Sequence, residues 1–297
     1  EDFTHTFEYY IMPAGKQTGP AGKCQATRIG RRWFATAAHC VKTACQNGCT
    51  IQMDLLEQPV SALARVTHTA QKPAVFVHPG FSEDKMVKND FALIRLDLDR
   101  APKTYYRRPA GKRKYNLGIS RAAFAAFLEK NRTAKSQYNH ILSPEFPPLV
   151  LFDDGDYEID RKLSVISIFD GKRELKPNPY PVYYVRALGF AYTGNFGIRK
   201  GMSGSGVMAN TGELIGIISA NLTSIRWTNK KNAKTEEYFM FPVFNREIAS
   251  FMESVMGSDY YKLDWKDAYP SFVRKTRNKN TQVVEAVNWA NEHHTVK

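Results

Sequence analysis

The chain has 297 residues, of which 43% are hydrophobic and 12% aromatic. This composition supplies enough apolar side chains for a sizeable core and excludes a disordered chain or a fibrous repeat. The length fits one large or two ordinary domains. No apolar run approaches the roughly 18 to 20 residues of a membrane-spanning helix, so we expect a soluble protein.

The formal net charge of +13 is concentrated in one segment. Residues 100–135 contain eleven basic residues and one acidic residue, a net charge of +10, which leaves +3 for the other 261 residues. Tyr105, Tyr106 and Tyr115 lie among these charges, a composition typical of surfaces that bind nucleic acid or another polyanion. We favour a solvated loop between two domains, with binding of a polyanion or an anionic surface as the alternative.

Short β-like runs recur along the chain, separated by Gly, Pro and Asn. They lie at residues 33–36, 91–96, 149–152, 163–168, 182–185, 214–218 and 238–241. This pattern predicts an all-β barrel or sandwich.

Helical signals are few. Ser120 is a candidate cap for a helix over residues 121–131. Asn245 is a candidate cap for a second helix, which continues to Met256 and ends at Gly257. A short helix over residues 282–292 is a further candidate near the end of the chain.

The four cysteines, Cys24, Cys40, Cys45 and Cys49, lie in the first fifth of the chain. We favour two disulfides, Cys24–Cys40 across a strand pair and Cys45–Cys49 around a tight loop. The first would close a loop of about 15 residues and stabilise by roughly 3 kcal/mol. A zinc site is an alternative, although no second ligand pair follows, and four reduced thiols are another. Disulfides indicate an oxidising compartment, so a secreted or periplasmic protein.

Three segments carry candidate chemistry. They are Phe-Ala-Thr-Ala-Ala-His-Cys at 34–40, Asn-Asp-Phe-Ala-Leu-Ile-Arg-Leu at 89–96, and Gly-Met-Ser-Gly-Ser-Gly-Val at 201–207. Each alone has an ordinary structural explanation. Together, in the order His, Asp, Ser, they resemble the chymotrypsin-like serine peptidases over residues 22–257, with a poor fit at 99–148. The resemblance implies two six-stranded antiparallel β-barrels, and Cys24 and Cys40 stand where the family commonly has a disulfide.

The resemblance also implies the roles of five residues. His39 would be the general base for the Ser203 hydroxyl, because a serine hydroxyl is a weak nucleophile near pH 7. Asp90 would fix the tautomer of that imidazole and stabilise its protonated form. The backbone amides of Gly201 and Ser203 would form the oxyanion hole. Ser219 matches a serine that supports the aspartate.

The chain departs from the animal digestive members of the family at Met202, where they have an aspartate that pairs with a new N-terminal ammonium. Activation by N-terminal insertion is therefore not expected, and the chain is more similar to bacterial and viral branches that lack this aspartate. The predicted substrate pocket comprises Gly197, Ile198, Lys200, Ile218, Ala220 and Asn221. None is acidic, so we predict an apolar rather than a trypsin-like specificity.

The predicted organisation has four parts. Residues 1–99 form a first barrel, 100–140 a basic insertion, 141–257 a second barrel with its closing helix, and 258–297 a C-terminal extension. The acidic run at 153–160 has a composition that can bind calcium but not the spacing of an EF-hand, and an acidic turn is the preferred interpretation. We predict no metal, no cofactor, no membrane span and a monomer.

The sequence thus favours a secreted serine endopeptidase that acts on protein or peptide substrates. Two alternatives remain open. One is a catalytically silent, protease-like binding module. The other is a viral-type processing protease of a reducing compartment, which would contain four free thiols.

Overall fold

The computed structural model of the chain describes most of the residues between 5 and 275. The described ranges are 5–15, 22–56, 60–83, 87–98, 103–107, 114–116, 126, 129–130, 132, 145–153, 155, 157–159, 162–169, 172–186, 188–227, 233–268 and 273–275. The predicted helix over 282–292 lies outside them. Of the predicted helix over 121–131, residues 126, 129 and 130 are described, and they are helical.

A nine-stranded antiparallel sheet forms the first unit of the molecule. Its strands are β1 (Thr6–Pro13), β2 (Gly22–Gly30), β3 (Trp33–Thr36), β4 (Cys49–Asp54), β5 (Val60–His68), β6 (Val75–Val77), β7 (Ala92–Arg95), β8 (Lys103–Arg107) and β9 (Lys114–Asn116), in the order β6-β7-β3-β2-β1-β4-β5-β8-β9. A one-turn helix, α1 (Ala38–Val41), follows β3. The side chains of Phe7, Tyr9 and Phe34 are fully buried in the core that this sheet encloses.

Two six-stranded sheets form the second unit. Its strands are β10 (Leu149–Leu151), β11 (Tyr157–Ile159), β12 (Leu163–Phe169), β13 (Lys172–Pro177), β14 (Val182–Val185), β15 (Phe190–Gly194), β16 (Gly206–Ala209), β17 (Leu214–Ile217), β18 (Ala220–Trp227), β19 (Ala233–Phe241), β20 (Trp265–Asp267) and β21 (Val273–Lys275). The orders are β13-β12-β16-β17-β10-β20 and β18-β19-β15-β14-β11-β21. Most pairs are antiparallel, and β10 pairs in parallel with β17 and β20. Side chains from both sheets share one core.

A third apolar cluster joins the two units. Trp33 and Phe91 of the first unit pack with Leu214 and Ile217 of the second. This cluster also covers one face of helix α2 (Arg246–Met256). The fold is therefore all-β and chymotrypsin-like, as predicted, and helix α2 follows its last long strand.

Helix α2 has the predicted ends. The side chain of Asn245 accepts a hydrogen bond from the backbone amide of Ile248, which satisfies one of the free amides of the first turn. Gly257 ends the helix with a φ of 58°, a conformation that glycine adopts readily. A 3₁₀ helix (Gly257–Lys262) follows and leads into β20. Within the described part of the chain, no helix is long and apolar enough to cross a membrane.

Both predicted disulfides are formed, Cys24–Cys40 and Cys45–Cys49, so no cysteine is free. The alternatives of a zinc site and of four reduced thiols are therefore wrong for this structure.

Strands β8 and β9 come from the basic segment 100–135 and extend the first sheet beyond β5. Most side chains of this basic segment lie outside the described part of the chain, and so do Asp154, Asp156 and Asp160 of the acidic run. The hypotheses that these two segments bind a polyanion and calcium, respectively, therefore stay predictions.

Candidate active site

His39 lies in the one-turn helix that follows the buried strand β3. Ala37 and Ala38 before it are fully buried, which fixes this turn against the core of the first unit. The disulfide from Cys40 to Cys24 ties the next residue to strand β2. The His39 side chain is 30% exposed, so one face of its imidazole remains available to a substrate.

Asp90 precedes strand β7 and follows a residue in a rarely used backbone conformation. Asn89 has a φ of 49°, which non-glycine residues seldom adopt although asparagine tolerates it best. The Asn89 side-chain amide donates to the carbonyl oxygen of Gly80 at 3.3 Å and to Glu247 of α2 at 3.0 Å. These bonds hold the sharp turn that directs Asp90 towards His39.

The buried carboxylate of Asp90 organises the site. It is 2% exposed and accepts hydrogen bonds from His39 Nδ1 at 2.7 Å and from the His39 backbone amide at 2.8 Å. The Ser219 hydroxyl also donates to it. Because Nδ1 is engaged as a donor, the other ring nitrogen, Nε2, is the one left to accept a proton.

The pKa of His39 reflects opposing effects. Burial disfavours the charged imidazolium and lowers the pKa. The hydrogen bond and charge of Asp90, with a smaller contribution from the charge of Glu83, raise it by more, so the net shift is upward from the ordinary value. His39 is therefore a stronger base than a free imidazole.

Ser203 lies in a tight turn between strands β15 and β16. The amide of Gly204 donates to the carbonyl oxygen of Ile218 at 2.8 Å, and that of Ser205 donates to the carbonyl oxygen of Met202 at 2.9 Å. The backbone amides of Gly201 and Ser203 donate no hydrogen bond to another described residue. Those two donors are therefore available to an oxygen that carries developing negative charge.

Ser219 connects the nucleophile candidate with the aspartate. Its hydroxyl donates to Asp90, while its carbonyl oxygen accepts a hydrogen bond from Ser203 Oγ at 3.2 Å. The structure thus brings together His39, Asp90, Ser203 and Ser219 from sequence segments up to 180 positions apart. In this arrangement the Ser203 hydroxyl points to Ser219 rather than to the imidazole.

The predicted pocket residues divide into two groups. The backbone amides of Gly197 and Ile198 donate to the side chain of Asn195 at 2.9 and 2.8 Å, which orders the loop before Ser203. Gly197 and Lys200 are exposed. Ile198 and Ile218, by contrast, are only 5% and 2% exposed and belong to the core of the second unit.

The remaining pocket candidates, Ala220 and Asn221, are described for their backbone in β18 but not for their side chains. Met202 is 1% exposed and packs in the core of the second unit. An apolar side chain at this position is therefore satisfied by burial and needs no ionic partner. The pocket and its preference for apolar groups stay predictions.

Sequence reasoning missed two contributors to the site. Asn89 was noted only as part of the Asn-Asp motif, and its bond to Glu247 joins segments 158 positions apart. Gln25 was not singled out, although its buried side chain contacts the loop that holds Ser203. The motif itself was the available signal for Asn89, whereas Gln25 has no distinguishing sequence pattern.

One protein family matches part of the chain. The model of the family described as Trypsin matches residues 5–118, a range that includes His39 and Asp90 and is less than half of the chain. No curated protein matches the sequence.

Solved structures that match include human heparin binding protein, a protein described as HL collagenase, and the scabies mite inactivated protease paralogue S-I1. Their identities to this chain are 16%, 16% and 15%, and their TM-scores are 0.43, 0.42 and 0.44. The matches cover 85%, 86% and 86% of this chain and 92%, 94% and 96% of those chains, respectively. These similarities are too low to say anything about activity.

The chain thus has an all-β, chymotrypsin-like fold, in which hydrogen bonds link His39 to Asp90, Asp90 to Ser219 and Ser219 to Ser203.

Proposed function

We propose that the chain is a serine endopeptidase that hydrolyses peptide bonds through His39, Asp90 and Ser203. One observation carries the proposal. His39 donates from Nδ1 to the buried Asp90 at 2.7 Å, and Ser219 bonds to both that carboxylate and the Ser203 hydroxyl. This network leaves His39 Nε2 as a basic nitrogen and links the histidine, through Asp90 and Ser219, to the Ser203 hydroxyl. A base and a hydroxyl are the two groups that nucleophilic catalysis by serine requires.

The reaction begins when Ser203 exchanges its bond to the Ser219 carbonyl for one to His39 Nε2. His39 then takes the hydroxyl proton while Oγ attacks the scissile carbonyl carbon, and it later gives that proton to the leaving amine. The resulting acyl-enzyme is hydrolysed by water in the same way. The amides of Gly201 and Ser203 stabilise the oxyanion in both steps, and a lost donor of this kind typically costs about 10² to 10³ in rate.

The specificity we propose is not trypsin-like and favours an apolar side chain in the pocket. In support, residues 195–198 contain no acidic group that would pair with Arg or Lys. The two disulfides support a secreted or periplasmic protein, since such bonds persist in oxidising compartments. The match of the Trypsin family model to residues 5–118 supports protein or peptide substrates.

A catalytically silent binding module is the second candidate, and one observation favours it. The Ser203 hydroxyl donates to the Ser219 carbonyl oxygen rather than to His39. If this arrangement persisted with substrate bound, the hydroxyl would not be activated.

Labelling with a fluorophosphonate probe decides between the two candidates. An activated Ser203 forms a covalent adduct, and the Ser203→Ala and His39→Ala variants do not. We also expect the wild-type protein to cleave a denatured protein mixture at sites that mass spectrometry can map, and Ser203→Ala to leave the mixture intact. Absence of labelling in a folded wild-type protein, or equal cleavage by Ser203→Ala, would contradict the proposal.

A further inference from the structure

Gln25 of strand β2 has a buried side chain that crosses from the first unit to the second. The residue is 1% exposed. Its Nε2 donates to the carbonyl oxygen of Gly201 at 3.0 Å and to that of Ile168 at 3.2 Å. Its Oε1 accepts from the amide of Ile168 at 2.9 Å and from the hydroxyls of Ser167 and Ser205, each at 3.0 Å.

The orientation of this amide is determined by its partners. The Ile168 backbone amide is only a donor, so the atom facing it must be the oxygen. The Gly201 carbonyl is only an acceptor, so the atom facing it must be the nitrogen. The side-chain nitrogen of Gln25 therefore faces the Gly201 carbonyl oxygen, and exchanging the nitrogen and oxygen of this amide would break both hydrogen bonds.

The backbone of Gln25 holds the same loop at a second point. Its amide donates to the carbonyl oxygen of Ser203 at 2.8 Å. Gln25 thus binds the carbonyls of both Gly201 and Ser203, the two residues whose amides are free to act as oxyanion donors. Close contact continues at Gly204, where an added Cβ would lie 1.7 Å from the Gln25 carbonyl oxygen.

Gly201 needs such a restraint because it lacks a side chain and adopts a φ of 95°. Nothing lies within 4 Å of the position that a Cβ would take there, so side-chain packing does not confine this residue. Glycine moves between backbone conformations more freely than other residues, and the hydrogen bond from Gln25 to the Gly201 carbonyl opposes that movement.

We propose that Gln25 is a positioning residue, which holds the loop from Gly201 to Ser203 in the conformation that presents both amides to the oxyanion. The inference rests on the proposed function, since an oxyanion forms only if Ser203 attacks a carbonyl. Gln25 touches neither substrate nor the reacting atoms, and it acts through the two carbonyls that it binds.

The effect of removing Gln25 falls on the chemical step. Oxyanion donors bind the transition state more strongly than the substrate, so their disorder lowers kcat with little change in KM. Loss of one donor costs about 10² to 10³ in rate. Without Gln25 the amides of Gly201 and Ser203 are still present but less well ordered, so we expect a smaller decrease in kcat, of about 10- to 100-fold.

The test uses Gln25→Met, which retains the length of the side chain but not its hydrogen bonds, and Gln25→Asn, which keeps the amide but is one methylene shorter. Arg173→Met is the matched control. It also removes a bond between the units, from Arg173 Nε to the Thr6 carbonyl oxygen at 2.7 Å, at a place with no described bond to Gly201 or Ser203. Peptide hydrolysis and hydrogen–deuterium exchange of a fragment containing residues 199–206 are measured for all proteins.

We expect both Gln25 variants to show a reduced kcat, a KM within about threefold of wild type and faster exchange in this fragment, whereas Arg173→Met resembles wild type in all three. If Gln25→Met does not fold, Gln25→Asn decides. A kcat within about threefold of wild type in the folded Gln25 variants, or an equal loss in Arg173→Met, would overturn the inference.

The exchange measurement separates this inference from the proposed function. If wild-type protein shows no Ser203-dependent hydrolysis, the proposed function fails, and unchanged exchange of the fragment in the Gln25 variants would overturn the positioning role as well. Faster exchange confined to this fragment would support positioning of the loop by Gln25 even then.

Discussion

The base strength of His39 depends on one buried carboxylate. Desolvation lowers the pKa of the imidazole, and Asp90, helped by Glu83, raises it by more. Because a general base must be neutral, activity is lost as the pH falls through a pKa that lies above the ordinary value of about 6.5. We therefore expect the acid limb of kcat/KM to have its midpoint above pH 6.5, in a profile measured from pH 5 to pH 9.

Replacement of Asp90 by asparagine reverses this balance. In Asp90→Asn the burial of His39 is opposed only by the smaller effect of the Glu83 charge, so the acid limb shifts to lower pH. We also expect kcat to fall by about 10⁴ because the tautomer is no longer fixed. Glu83→Gln is the control, since it removes only the smaller electrostatic contribution and leaves the plateau of kcat intact. An acid limb that stays in place in Asp90→Asn would refute this account of the His39 pKa.

At the scale of elements, the turn between β15 and β16 packs closely against β2 at Gly204, whereas the next turn, between β16 and β17, has no such contact at Gly212. Gly204 has a φ of 91°, and a Cβ there would lie 1.7 Å from the Gln25 carbonyl oxygen and 2.7 Å from Thr36 Oγ1. Gly212, in the turn between β16 and β17, has a nearly equal φ of 97° but nothing within 4 Å. The two positions thus share the backbone strain and differ in the contact.

We expect Gly212→Ala to lower the free energy of unfolding by about 1 to 2 kcal/mol, the cost of a left-handed conformation for alanine. Gly204→Ala carries the same cost and also forces β2 and the loop apart, so we expect a loss of more than about 4 kcal/mol or failure to fold. Urea denaturation of both variants checks the difference. Equal losses in the two variants would mean that the contact with Gln25 is not a tight one in solution.

Local signals predicted the elements themselves. The apolar runs around residues 92–95 and 214–217 are strands, Asn245 caps the C-terminal helix, and the cysteines pair as proposed. These predictions succeeded because strand periodicity, capping and short disulfide loops each depend on residues close together in the chain.

The features that escaped prediction depend on distant residues. The Gln25 side chain bonds to Gly201, which is 176 positions away, and periodicity says nothing about such a partner. The 5% exposure of Ile198, in a core to which both sheets of the second unit contribute, likewise depends on residues far away in the chain. Only the three-dimensional packing decides whether a residue near the nucleophile faces the substrate or the interior.

At the scale of the whole molecule, the segment after helix α2 is bound back to the first unit through Asp259. Its carboxylate accepts hydrogen bonds from Arg32 Nε and Trp33 Nε1, each at 2.9 Å, and from Lys262 Nζ at 2.9 Å. The bond from Lys262 and those from Trp33 and Arg32 lower the pKa of Asp259 below its usual range, against the opposing effect of burial. Trp33 itself lies in the apolar cluster shared by the two units.

A carboxylate whose pKa is lowered by folding stabilises the protein above the pKa of the unfolded state and loses that effect as the pH falls towards the folded value. We expect Asp259→Asn to reduce the free energy of unfolding by about 1 kcal/mol at pH 7. The difference from wild type should shrink as the pH falls below about 4, near the ordinary pKa of aspartate. Denaturation curves at pH 7 and pH 3 measure both quantities.

Asp264→Asn is the control, because Asp264 is 58% exposed and its ion pair with Lys266 at 3.2 Å is a surface contact. Loss of that ion pair should cost less than about 0.5 kcal/mol. A deficit for Asp259→Asn that is equal at both pH values would show that the ionised carboxylate is not what anchors this segment.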